Sequence, residues 1–116
     1  MTVDLVKFSE VAEYEPAGHH GVVNRLLAGI ASGGVRAVSV WHGRLEPGGG
    51  SDLHMHDGSA QIYAGLTGLL TVTNGQTSAL LRPGDVVIIP AGEEHDIHNQ
   101  SDAVATLLVI SAPALK

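Results

Sequence analysis

Four side chains able to bind a metal, His54, His56, Gln61 and His95, are spaced so that three imidazoles and an amide oxygen could meet. In an extended segment, residues two apart project to the same face, so His54 and His56 could share one ion. The turn-forming Asp57-Gly58-Ser59 lets the chain fold back before Gln61. His95 lies well downstream, in PAGEEHDIHN. Three histidines and one oxygen donor suit a divalent first-row metal and leave room for water or substrate.

What holds such residues in place is bounded by composition. The 116 residues have the length of one domain, 1–116, and 44% hydrophobic with 16% charged residues argues against disorder. Twelve acids against six bases give a net charge of −6, and aromatics are only 3%, so neither nucleic acid nor an anionic membrane is an expected partner. With no cysteine, nitrogen and oxygen must supply any metal ligands, and disulfides are absent. The N-terminus MTVDLVKFSE lacks a basic segment followed by an apolar run, and the stretch from Ala103 to Ile110 is too short to span a bilayer. These features predict a soluble, cytoplasmic protein.

The positioning elements read as short strands between turn signals. Val3 to Phe8 alternates like a strand, Val22 to Ile30 favours one, and Val35 to Glu46 places Val38, Val40, His42 and Arg44 on one side and Ala37, Ser39, Trp41 and Leu45 on the other. Pro47-Gly48-Gly49-Gly50 is expected to end that strand before a strand carrying the histidines. Further strands are predicted at Gln61 to Thr67, Leu69 to Thr73, Thr77 to Leu81, Val86 to Ile89, His95 to Asn99 and Ala103 to Ser111. Asn74-Gly75 reads as the centre of a type I′ hairpin turn. The pattern is all-β, a sandwich or small barrel, with a jelly roll the natural candidate.

These residues resemble the cupin superfamily. Gly48, five residues, His54-x-His56, four residues, Gln61, six residues and Gly68 fit its first motif (48–68), with glutamine where glutamate is usual. Gly84, five residues, Pro90-x-Gly92, two residues, His95, three residues and Asn99 fit the second (84–99). The 15 residues between the motifs match the spacing of small single-domain cupins. The resemblance implies a double-stranded β-helix (a jelly-roll barrel), an N-terminal arm over about residues 1–21, a homodimer, and one divalent Zn, Mn, Ni or Fe ion held by His54, His56, Gln61 and His95. Gly84, Pro90, Gly92 and Asn99 then shape the segment that presents His95.

A neutral amide in place of glutamate leaves the ion its full charge of about +2 rather than about +1, which makes it a stronger Lewis acid. Non-redox action on a small-molecule substrate is favoured: an isomerase, a polyketide-cyclase-like enzyme or a lyase. A cupin dioxygenase and a non-catalytic small-molecule binder are the alternatives. Tyr63, which shares strand parity with Gln61, and His42 are the candidate catalytic groups. His98 is expected on the face opposite His95, His19 and His20 at the surface, and Trp41 in the core or an interface. Arg25 and Arg44 are expected to be solvated, and either one inside the barrel would indicate an anionic or carboxylate substrate.

Overall fold

A computed structural model describes residues 3–115. Eight strands follow in order: β1 (His19–Ala28), β2 (Ser39–Ser51), β3 (Ala60–Thr67), β4 (Leu70–Thr73), β5 (Ser78–Leu81), β6 (Val86–Ile89), β7 (Asp96–His98) and β8 (Ala105–Ala112). All ladders are antiparallel and give the order β5-β4-β7-β2-β8-β3-β6, with β1 added to β2. This is the all-β, nearly closed jelly-roll barrel that the turn spacing predicts.

Alternation fills the interior. Leu45, Leu70, Val72, Leu81, Ile89, Ile97, Ala105 and Leu107 turn inward and are buried, along with Val22 and Tyr63. On β2 the undecided parity resolves in favour of Ser39, Trp41, Gly43 and Leu45 inside, because Trp41 lines the interior cavity while Ser39, Gly43 and Leu45 are buried.

The glycine run bends β2 instead of ending it. Ser39 to Leu45 lies between β1 and β8, and Gly50 then pairs with both His20 and His98, so that Glu46 to Gly49 bulge opposite Gly21 alone. Gly48 has φ +81° and Gly21 φ +61°, a region costly for side chains. Gly50 is packed beneath the His98 ring, where a Cβ would collide with Nδ1. Asn99 fastens this corner: its backbone N–H donates to the Gly49 carbonyl (2.8 Å), and its Nδ2 donates to the carbonyls of Leu45 (3.0 Å) and Ala103 (2.7 Å).

Other boundaries also shift. Val3 to Phe8 pairs with no strand among the described residues; Phe8–Glu10 forms a 3-10 turn instead, and Phe8 packs its ring edge-on against His42 at 4.7 Å. Val35 to Val38 precedes β2, and the expected histidine strand is a loop. In the β4–β5 hairpin Thr73 pairs with Ser78, and Gly75 alone has positive φ, +89°. The central pair is therefore Gly75-Gln76, the pattern of a type II′ turn, because the Asn74 side chain is occupied accepting from the Gln76 (2.9 Å) and Thr77 (2.8 Å) amides. No helix among the described residues is long and apolar enough to cross a membrane.

Candidate metal centre

The loop carrying His54 and His56 is stitched to the start of β7. His54 N–H donates to the His95 carbonyl (3.0 Å) and His95 N–H to the His54 carbonyl (2.8 Å), while Gly92 N–H donates to the His56 carbonyl (2.9 Å). Directly opposed residues of an antiparallel pair project side by side. That isolated bridge, not a regular strand, sets the His54 and His95 rings 4.4 Å apart between centroids. His56 adds a third ring 5.2 Å from His54, and the three potential ligand nitrogens lie within 4.8 Å of one another.

Gln61 reaches the cluster from β3. It faces Ser111 of β8 across the ladder, and its Nε2 donates to the Ser111 hydroxyl at 3.0 Å. Its Oε1 is thereby turned to within 2.8 Å of His95 Nε2, and the Tyr63 hydroxyl donates to the same oxygen at 3.2 Å. His54, His56, Gln61 and His95 are thus positioned to form a metal site.

Hydrogen bonding from behind aims the imidazoles. His54 Nδ1 contacts the Asp52 carbonyl (2.7 Å) and His95 Nδ1 the Glu93 carbonyl (2.9 Å). A carbonyl accepts only from N–H, so each ring carries its proton on Nδ1 and presents a bare Nε2. Burial pulls the His95 pKa below its ordinary value against the opposing Glu93 bond; burial and the neighbouring imidazoles of His54, His95 and His19 do the same to His56. Neutral rings are what a metal requires. The Nε2 of His95 and the Oε1 of Gln61 are then two acceptors facing each other at 2.8 Å, an arrangement relieved by a shared cation.

Tyr63 is 3% exposed, and burial, with the Asp96 charge secondary, raises its pKa, so its hydroxyl stays a neutral donor. His42 is elsewhere: it lies on the outer face of β2 against Phe8 and does not line the cavity, because its parity is opposite to Trp41. Its pKa is lowered by burial and by Arg25 and Arg44. Arg25 and Arg44 also face outward and pair with Glu13. His98 points away from the cluster towards Asp96, at 3.4 Å.

A cavity of about 360 Å³ adjoins the cluster, lined by His54, His56, Gln61 and Tyr63 together with Trp41 and His19. Local spacing misses these last two. His19 reaches the site because β1 pairs it with Ser51, the residue just before Asp52, whose carbonyl orients His54; its ring lies 5.8 Å from that of His54. Its Nδ1 is held by the Ala17 carbonyl at 2.8 Å. His20, the neighbouring residue, is exposed.

Solved structures share this architecture. A predicted oxalate decarboxylase from Thermotoga maritima is 25% identical over 97% of this chain and 100% of its own, with TM-score 0.83. A sugar phosphate isomerase of the cupin superfamily from Silicibacter pomeroyi is 26% identical over 94% and 75%, with TM-score 0.78. The polyketide cyclase RemF of Streptomyces resistomycificus, at 19% identity, 96% and 80% coverage and TM-score 0.82, shares the fold. No curated protein sequence matches. The cupin domain family matches residues 41–111, a span that contains the converging histidines, Gln61 and the barrel strands around them, and the chain belongs to that family.

Proposed function

We propose that this chain is a metal-dependent cupin that acts on a small molecule through non-redox, Lewis-acid chemistry: isomerisation, cyclisation or a lyase reaction. The observation that carries the reading is the pair of acceptors, His95 Nε2 and Gln61 Oε1, facing each other at 2.8 Å within a wholly neutral donor set. His54, His56, Gln61 and His95 would hold a divalent ion, which would supply Lewis acidity towards a carbonyl or hydroxyl oxygen of the substrate. Tyr63 fixes the Gln61 oxygen by its hydrogen bond and contributes positioning. His19, held through Nδ1 by Ala17, presents Nε2 to the cavity and is the group in this reading that accepts the substrate proton, the role given to His42 by strand order alone. The apolar walls around Leu45, Leu107 and Val109 limit water.

The same proposal includes a homodimer. Ile62, Ala64, Val86, Ile88, Leu108 and Ile110 form a continuous outer stripe through the ladders of β6, β3 and β8; Ile88 is 69% exposed and Val86 54%. A chain of net charge −6 repels its copies elsewhere, and an uncharged stripe meeting its own copy about a two-fold axis is where self-association is least opposed.

Elemental analysis of protein purified without added metal, with equilibrium dialysis against Zn, Mn, Ni and Fe(II), tests the metal reading. One bound ion per chain is expected, lost in His54→Ala and kept in His98→Ala. Absence of binding to the unsubstituted protein would sink it. Oxygen consumption during turnover of catechols, flavonols or thiols would replace the non-redox chemistry by the dioxygenase reaction.

A further inference from the structure

The cavity walls carry information that the ligand cluster does not. We infer that the site selects an uncharged, largely apolar cyclic molecule with a hydroxyl beside a carbonyl, in preference to a small dicarboxylate, a uronic acid or a sugar phosphate. The inference rests on the Lewis-acid reading for the oxygens that face the cluster, whereas the preference of the walls stands apart from it.

Size comes first. A volume of about 360 Å³ lies at the small end of ligand pockets and suits a molecule of two or three fused rings. The walls come from inward positions of several strands: Val22 of β1, Trp41 and Leu45 of β2, Ile97 of β7, and Leu107 and Val109 of β8. Trp41 offers an indole for ring contact. A polyhydroxylated ligand would bury hydroxyls against these side chains without partners, and each such group costs affinity.

Charge points the same way. No arginine or lysine lines the cavity among the described residues, and the two arginines nearest in sequence to its walls, Arg25 and Arg44, are turned outward onto Glu13. The charged carboxyl that does line it, Asp52, is an acid, within a chain of net charge −6. An anion with more charge than the metal can absorb finds no second cation here. The polar groups available away from the cluster are few: Asn24, the Tyr14 phenol, the Asp52 carboxyl and the Nε2 of His19, which can accept from one hydroxyl. Together they describe a ligand with one oxygen-bearing edge, few further polar atoms and an apolar body.

Trp41 is the sole tryptophan, so its emission reports on this cavity. The probe is 1-hydroxy-2-acetonaphthone, titrated by calorimetry and by Trp41 quenching into zinc-loaded and zinc-free protein, beside oxalate, galacturonate and glucose 6-phosphate. The naphthone is expected to quench Trp41 and to bind at least about tenfold more tightly than any of the anions, with the preference over anions retained in zinc-free protein. An anion binding as tightly as the naphthone would overturn the inference. Zinc content is measured separately by dialysis, so failure to take up zinc defeats the Lewis-acid reading while the zinc-free titration still decides the walls. Tyr14→Arg adds a cation at a lining position that is 44% exposed. It should shrink the naphthone-to-anion ratio, and an unchanged ratio would refute the charge argument.

Discussion

Gln61 sets the charge of the centre, and its surroundings make that charge adjustable. Gln61→Glu keeps the shape, can accept from both Tyr63 and Ser111, and adds one negative charge to the donor set. Metal affinity should rise by roughly tenfold or more, measured by competition with a chelator, because opposite charges attract strongly at ligand distances. Acid should act through the histidines. Burial holds His56 and His95 below the ordinary value of 6.5 in the folded chain, so below that pH the unfolded chain binds more protons than the folded one. This contribution to stability is fully present above the unfolded value and is lost as pH falls towards the depressed folded values. The melting temperature of metal-free protein should therefore decline as pH is lowered from about 7 to about 5, with a shallower decline in His56→Asn. Equal slopes for the two proteins would contradict the burial of that imidazole.

At the scale of elements, the corner where β2 bends decides whether the histidine loop meets β7. Asn99 is 0% exposed and ties this corner to Leu45, Gly49 and Ala103 through donors of both its backbone and side chain. Asn99→Ala leaves the Leu45 and Ala103 carbonyls short of partners and should cost about 2–3 kcal/mol in urea unfolding. Asn99→Asp has nearly the same volume but sets a buried carboxylate against two carbonyls, so it should cost more. The opposite ranking would show that volume, and not donor chemistry, holds the corner.

For the whole molecule, the outer stripe of β6, β3 and β8 predicts association. Light scattering coupled to size-exclusion chromatography should give twice the mass of the 12.0 kDa chain. Ile88→Asp, at a position too exposed to matter for the monomer's core, should give monomers with an unchanged circular dichroism spectrum. A monomer in the unsubstituted protein would remove the homodimer from the proposal and leave the metal centre untouched.

The sequence by itself determined the barrel and the residues positioned to form a metal site. Alternation and turn residues are local signals, and two spaced motifs marked His54, His56, Gln61 and His95 together with the Asn99 corner. It also placed His98 opposite His95, since strand parity is a property of neighbours. Contacts between distant segments were beyond its reach. The bridge that sets His54 beside His95 exists only once the loop meets β7, and Ser39 to Leu45 of β2 turned Trp41 inward and His42 outward only when β1 and β8 had closed on either side. His19 entered the site, and Arg25 and Arg44 faced outward onto Glu13, for the same reason. Residue spacing fixes which side chains alternate, but the packing of strands far apart in the chain chooses the face that becomes the interior.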